Sequence, residues 1–170
     1  MPGAGPYELY LVRHGLAEER GDAWPDDTKR PLTADGMSRM RKAARGLARL
    51  GIGLDVVLTS PLVRARQTAE ILAGALEPRP SLVTIDSLAP EGVYTTLLAD
   101  LEKHARKTRI ALVGHEPNIG ELAARLIGSR HAIEFKKGAV CRIDLETLPP
   151  SGPGDLRWLM TAKMLREIRK

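Results

Sequence analysis

Short apolar runs rich in β-forming residues alternate along this chain with longer stretches of helical periodicity, and this alternation constrains the fold more than any other feature. The apolar runs predict four strands, at Tyr7–Arg13, "DVVLTS", Leu82–Ile85 and "RIALVG". The stretches between them predict four helices, which begin at Thr33, at Ser60 with Pro61, at Pro90 and at Pro117. Strands joined through helices run parallel, so the pattern predicts an α/β fold with a mostly parallel central sheet and helices on both faces, a three-layer sandwich.

Two more apolar runs, "AVCRIDLE" and "LRWLMT", follow near the end of the chain and predict two further strands. The Pro/Gly-rich segment "LPPSGPG" lies between them and predicts a connecting loop, not a domain boundary. We therefore expect antiparallel additions at one edge of the sheet. The whole chain has 170 residues, a length typical of one domain.

The composition argues against nucleic-acid, disulfide-rich and membrane proteins. The net charge is +5, but lysines and arginines alternate with acids along most of the chain, and aromatic residues make up only 4%. Cys141 is the only cysteine, which suits a reducing compartment. The first residues lack the pattern of a signal peptide, and no apolar run has the length of a membrane span. We expect a cytoplasmic protein with neither nucleic acid nor membrane as a partner.

Polar motifs follow three of the predicted strands at the point where each gives way to a helix. These motifs are "LVRHG", "LTSPLVRARQTA" and "LVGHEPN". Because ligands bind outside the carboxyl ends of parallel strands, we expect Arg13, His14, Arg64 and His115 to converge there. Two guanidinium groups with two imidazoles are poorly suited to a core, since buried charges need partners. They are well suited to holding a phosphoryl group.

These motifs resemble those of the histidine phosphatase superfamily, which has the phosphoglycerate-mutase-like fold. "RHG" at Arg13 to Gly15, "SPLVRARQTA", "GHEPN" and "KRPLTADG" each match a segment of that family, and "LRWLMTAKML" resembles the final strand of its short bacterial members. The length of the chain and the sequences of its motifs are most similar to those of the SixA-like short branch, whose members remove phosphate from phosphohistidine on signalling proteins. The resemblance implies a single histidine phosphatase domain over residues 1–170.

The resemblance also implies a role for each site residue. His14 would attack phosphorus through one ring nitrogen while the other donates to a backbone carbonyl. Arg13 and Arg64 would bind the transferring oxygens, Gly15 would leave the pocket uncrowded, and His115 would bind phosphate and stabilise the transition state. We expect no cofactor and no metal, because the four histidines are far apart in sequence and flanked by arginines.

The general acid for the leaving group is open at this point. Mutase relatives use a glutamate after the third strand, where this chain has Glu91, although a carboxylate in the first turn of a helix is also explained by the helix dipole. Glu18 and Asp22 are alternatives. Trp24, in the segment "ERGDAWPDDTKRP", is a candidate for contact with substrate or for pinning that loop.

Three functions are compatible with these residues. The first is a SixA-like protein phosphohistidine phosphatase acting through a phosphohistidine intermediate on His14. The second is a broad-specificity phosphomonoesterase for small phosphate esters, and the third is a non-catalytic module that binds phosphate. A mutase is disfavoured, because the chain lacks the larger insertions with which such enzymes retain a phosphorylated sugar acid.

Overall fold

A computed structural model describes residues 6–169 and contains a six-stranded sheet across that range. The strands are β1 (Tyr7–Arg13), β2 (Val56–Thr59), β3 (Ser81–Thr84), β4 (Arg109–Gly114), β5 (Val140–Leu145) and β6 (Asp155–Met160). Their order across the sheet is β3-β2-β4-β1-β5-β6. The first four run parallel. Strand β5 pairs antiparallel with β1, and β6 pairs antiparallel with β5. The mostly parallel sheet with an antiparallel addition at one edge is confirmed.

Helices cover both faces of the sheet. They are α1 (Ala34–Arg49), α2 (Val63–Gly74), α3 (Tyr94–Glu102), α4 (Asn118–Ile127) and α5 (Ala162–Glu167). Side chains alternate along β1, so that Leu9 and Leu11 join the core beneath α3 and α4. Tyr10 and Val12 join the opposite core, beneath α1, α2 and α5. The predicted three-layer sandwich is therefore confirmed.

Three helices differ from the sequence prediction. Helix α2 begins at Val63, not at Ser60 and Pro61, because Leu62 has an extended backbone conformation. Helix α3 begins at Tyr94, since the segment after Pro90 forms a turn. The predicted final strand ends at Met160, and the residues after it form the short helix α5.

Helix α5 arises because the Thr161 hydroxyl caps the segment that follows β6. Thr161 Oγ1 accepts a hydrogen bond from Met164 N at 3.2 Å, which satisfies one of the free N–H groups of the first turn. Leu165 is fully buried in the core beneath α1. The cap and this apolar contact together favour a helix over a continued strand.

The sheet order determines where the site lies. Strand β4 pairs with β1 on one side and with β2 on the other, and all three run parallel. Their carboxyl ends, Arg13, Thr59 and Gly114, therefore meet at one edge, where the three polar motifs follow them. Within residues 6–169, no helix has both the length and the apolar character needed to cross a membrane.

Candidate active site

His14 lies directly after β1 at the carboxyl edge of the sheet, with 7% of its surface exposed. Its backbone N–H donates to the Gly114 carbonyl on β4 at 3.0 Å. The ring Nδ1 lies 2.7 Å from the Gly15 carbonyl oxygen. Because a carbonyl oxygen only accepts, Nδ1 carries the ring proton and Nε2 keeps its lone pair. The backbone thus holds the tautomer in which Nε2 can act as a nucleophile.

His115 lies directly after β4, 3% exposed, with its ring centroid 5.2 Å from that of His14. Its Nε2 is 2.7 Å from Ser60 Oγ, which also accepts a hydrogen bond from Leu62 N at 3.2 Å. Oγ keeps its own proton and a second lone pair, so it can either donate to Nε2 or accept from an Nε2–H group. The other ring nitrogen, Nδ1, is buried and has no hydrogen-bond partner within residues 6–169.

Arg64 lies in the first turn of α2 and is only 2% exposed. Its Nη1 donates to the Asp27 carbonyl at 2.9 Å, and its Nη2 donates to Asp27 Oδ2 at 3.1 Å. Burial lowers the pKa of Arg64, and Arg30 acts in the same direction while Asp27 opposes it. The guanidinium nevertheless stays charged at neutral pH. Asp27 therefore fixes its orientation from one side and leaves its other N–H groups for a ligand.

Arg13, the last residue of β1, is held in a comparable way by the backbone. Its Nη1 donates to the Phe135 carbonyl at 2.7 Å. Its Nε, like that of Arg64, is buried and has no hydrogen-bond partner in the described part of the chain. Both guanidinium groups thus have fixed planes and unused donors, which is the arrangement that binds an oxyanion.

Asp27 belongs to a short 3-10 turn, Asp27–Lys29, in the segment that precedes α1. Its Oδ1 accepts from Arg30 Nε at 2.8 Å, and Arg30 Nη1 donates to the Glu18 carbonyl at 2.7 Å. The hydrogen bond from Arg30, with the charges of Arg64 and Arg30, holds the pKa of Asp27 below its usual value. This carboxylate therefore stays ionised and links the loop to two arginines.

Both histidines are held in the neutral state. Burial lowers the pKa of His14 to about 3, and the charges of Arg64 and Arg13 act in the same direction, whereas the hydrogen bond to Gly15 opposes them. Burial likewise lowers the pKa of His115 to about 4, again with help from Arg64. A neutral imidazole retains the lone pair that attack on phosphorus requires.

Gly15 lies where a side chain would not fit. A Cβ at this position would come within 2.7 Å of Met40 Cγ on α1. Its backbone N–H donates to Thr68 Oγ1 at 3.0 Å, and that hydroxyl donates to the Arg64 carbonyl at 2.8 Å. Thr68 therefore connects the segment that carries His14 to the helix that carries Arg64.

A cavity of about 420 Å³, here called the catalytic cavity, opens above these groups. The four residues predicted to converge, Arg13, His14, Arg64 and His115, all line it. Carboxylates at Glu18, Glu19 and Glu116 also line it, as do the cations Arg20, Arg30 and Lys137. The structure thus brings together a nucleophile candidate, two fixed guanidinium groups and a second imidazole.

Of the other candidate residues, Glu18 lines this cavity, whereas Glu91, Trp24 and Asp22 do not. Glu91 is exposed and is absent from its lining, although its neighbour Pro90 is part of it. Glu91 also precedes α3 by three residues, so the helix dipole does not account for it.

Sequence reasoning missed three residues that support the site. Ser60 was interpreted as a helix cap, while Asp27 and Thr68 received no role. The signal for Asp27 was its place in the segment "ERGDAWPDDTKRP", which also carries the candidate residue Trp24. No comparable signal exists for Thr68, because its contact with Gly15 joins residues far apart in sequence.

Within residues 6–169, no group of three or more His, Cys, Asp or Glu side chains is placed to hold a metal ion.

Comparison with known proteins gives four findings. The sequence profile of the histidine phosphatase superfamily (branch 1) matches residues 9–90. An uncharacterised protein of Picosynechococcus sp. is 43% identical over 78% of this chain and 82% of its own length. The phosphohistidine phosphatase SixA of Escherichia coli is 30% identical over 91% of this chain and 93% of its own length. Among solved structures, the protein histidine phosphatase SixA complexed with tungstate superposes with a TM-score of 0.81 at 27% identity, covering 92% of this chain and 97% of that one.

Proposed function

The chain belongs to the histidine phosphatase superfamily, and we propose that it is a SixA-like phosphohistidine phosphatase that removes phosphate from histidine side chains of a protein. The similarity to SixA over nearly the full length of both chains supports this substrate class. The observation that carries the chemistry is the state of His14, which is neutral and donates from Nδ1 to Gly15, leaving a lone pair on Nε2.

In the first step, His14 Nε2 attacks the phosphorus atom of the substrate. The substrate ring carries a proton on its other nitrogen. A bond forms between Nε2 and phosphorus as the bond between phosphorus and the substrate nitrogen breaks, and the electron pair of that bond stays with the substrate ring, which departs as neutral imidazole. The phosphorylated His14 ring becomes cationic. Its Nδ1–H remains bonded to the Gly15 carbonyl, which stabilises that positive charge.

The transferring phosphoryl oxygens would be held by the unused N–H groups of Arg13 and Arg64. We propose that Ser60 donates to His115 Nε2, so that Nδ1–H of His115 is a neutral donor to the same oxygens. These donors are already oriented by Phe135, Asp27 and Ser60, so little reorganisation accompanies the reaction. Ser60 and Asp27 are thus positioning residues.

In the second step, water attacks the phosphorylated His14. The new bond joins the water oxygen to phosphorus, the bond between phosphorus and Nε2 breaks, and its electron pair returns to Nε2. The water gives up its proton to the phosphate or to solvent. Inorganic phosphate leaves, and His14 is again the neutral tautomer, so the step needs neither a metal nor a cofactor.

The demand for a general acid depends on the leaving group. A phosphohistidine substrate releases a weakly basic imidazole, whereas an alkyl phosphate ester releases a strongly basic alkoxide. Glu91 remains the predicted acid, and Glu18, which lines the cavity, is its alternative. Glu91→Gln and Glu18→Gln, assayed on an alkyl phosphate ester and on a phosphohistidine protein, distinguish them: the acid is the one whose loss impairs ester hydrolysis more strongly.

The proposed function is tested with a histidine-containing protein phosphorylated by phosphoramidate. We expect wild-type protein to release phosphate from it in the presence of a chelator and His14→Ala to release none. His131→Ala is the matched control, because His131 is an exposed histidine outside the catalytic cavity. Turnover retained in His14→Ala would contradict the proposal. Hydrolysis of small phosphate esters without any release from phosphohistidine would favour the phosphomonoesterase, and phosphate binding without turnover would favour the non-catalytic module.

A further inference from the structure

A second concave surface lies beside the catalytic cavity and is strongly cationic. This basic groove has a volume of about 370 Å³ and is bordered by Arg39 of α1, Lys136 and Lys137 of the loop before β5, and Lys163 and Arg166 of α5. Its floor is largely uncharged and includes Gly15, Met40 and Ala162. No carboxylate belongs to its lining in the described part of the chain.

Four of these five cations have no acidic partner on the protein. Arg39 pairs with Asp35 one helical turn earlier, at 2.8 Å. Within residues 6–169, Lys136, Lys137, Lys163 and Arg166 lie within 4.0 Å of no carboxylate oxygen. Elsewhere on the surface many arginines and lysines are paired, so this groove concentrates uncompensated positive charge.

The basic groove is continuous with the catalytic cavity. Leu16 and Lys137 line both, and Gly15, in the floor of the groove, is bonded to His14 in the chain. A molecule that presents a phosphoryl group to His14 and extends past Lys137 therefore enters the groove. A protein segment that flanks a phosphorylated histidine continues beyond the phosphoryl group and can follow this path.

We infer that the basic groove is a docking surface for an acidic segment of the phosphorylated protein substrate. This inference rests on the proposed function, and it adds a preference for glutamate and aspartate near the phosphorylated histidine. The three lysines of the groove suit such a partner because a flexible ammonium group attracts carboxylates without demanding one fixed geometry. A nucleic acid is disfavoured, because the lining contains no aromatic side chain on which a base could stack.

A charge-reversal pair tests the groove without altering the catalytic cavity. Lys136→Glu/Lys163→Glu removes two cations that line the groove alone. Arg106→Glu/Lys107→Glu is the matched control, with the same change in net charge at two exposed residues. The control residues precede β4, at the end of the sheet opposite His115.

The first measurement is binding of a fluorescent, glutamate-rich peptide without phosphate, at low ionic strength. We expect Lys136→Glu/Lys163→Glu to weaken binding by about tenfold relative to wild type, since each exposed ion pair contributes modestly. The control variant should bind like wild type, and salt should weaken binding to both. Equal binding to the groove variant and to wild type would overturn the inference, as would tighter binding of a single-stranded oligonucleotide than of the peptide.

The second measurement compares kcat/KM for two phosphohistidine peptides of equal length, one with glutamates and one with glutamines around the phosphohistidine. Wild type and the control variant should have a higher kcat/KM for the acidic peptide than for the glutamine peptide. In the groove variant the ratio of these two kcat/KM values should fall by about tenfold, while a small phosphate ester is hydrolysed at the wild-type rate. A preference retained in the groove variant would overturn the inference. If no phosphohistidine peptide is hydrolysed, the proposed function fails, and the binding measurement alone decides whether the groove takes an acidic segment.

Discussion

Removal of the Ser60 hydroxyl should impair catalysis through His115, although Ser60 itself contacts no reacting atom in the proposed mechanism. Ser60 is fully buried and links the Leu62 amide to His115 Nε2. In Ser60→Ala, Nε2 loses its donor inside the protein. The ring is then free to place its proton on Nε2, which removes the proposed Nδ1–H donor from the phosphoryl oxygens.

The magnitude follows from the burial of this hydrogen bond. A buried polar group left without a partner costs about 1–3 kcal/mol. If the transition state bears that cost, kcat/KM falls by about 5- to 150-fold. The loss should appear mainly in kcat, because the donor from His115 matters most as charge develops on the transferring group.

The assay compares Ser60→Ala with Ser87→Ala. Ser87 is also buried, but its hydroxyl donates to Asp100 Oδ2 at 2.6 Å and not to a residue of the catalytic cavity. Both variants should lose about 1 kcal/mol of unfolding free energy, and only Ser60→Ala should lose kcat. Nitrogen chemical shifts of His115 should show the change of tautomer. Equal kcat values in the two variants, or an unchanged tautomer, would refute the reasoning.

Three other substitutions and conditions have defined outcomes. Arg64→Lys should lower kcat/KM by about ten- to a thousand-fold, because a lysine cannot contact Asp27 twice and still present a fork to phosphate; steady-state kinetics measure this. Gly15→Ala should lower the melting temperature and kcat together, since its Cβ would meet Met40 at 2.7 Å and overpacking costs about 1–3 kcal/mol; unfolding scans measure the stability. Burial lowers the pKa of His14 from 6.5 to about 3. Between these two pH values the unfolded chain binds a proton at His14 and the folded protein does not. The free energy of unfolding should therefore fall as pH drops from 6.5 to 3, by up to about 5 kcal/mol. Acid unfolding of His14→Ala should show a shallower dependence over that window.

Much of the fold was predictable because the local pattern and the global topology agree. The apolar run at Tyr7–Arg13 and the helix capped by Thr33 were predicted from sequence, and Thr33 does accept a hydrogen bond from Gly36 N at 2.8 Å. The start of α2 was predicted two residues early. Ser60 and Pro61 form a favourable helix start by propensity, but Leu62 keeps an extended backbone. The Ser60 hydroxyl accepts from Leu62 N and also contacts His115, a partner 55 positions away in sequence.

The convergence of Arg13, His14, Arg64 and His115 was also predictable, since parallel strands place the residues that follow them at one edge of the sheet. The position of Glu91 was not, because it depends on a turn whose path local sequence does not specify. The basic groove was hidden for a related reason. Its cations come from three separate segments, each of which also carries acids, so the excess of charge resembled an ordinary solvated surface until the fold brought them together.

The most direct test of the account is the detection of phosphate on His14. Wild-type protein should be mixed with a phosphohistidine protein, quenched at alkaline pH to preserve phosphorus–nitrogen bonds, and analysed by mass spectrometry of its peptides, with His14→Ala and His131→Ala in parallel. We expect a phosphoryl group on His14 that forms at least as fast as kcat in wild type and in His131→Ala, and none in His14→Ala. Turnover with the phosphoryl group on another residue, or turnover that persists in His14→Ala, would contradict the account.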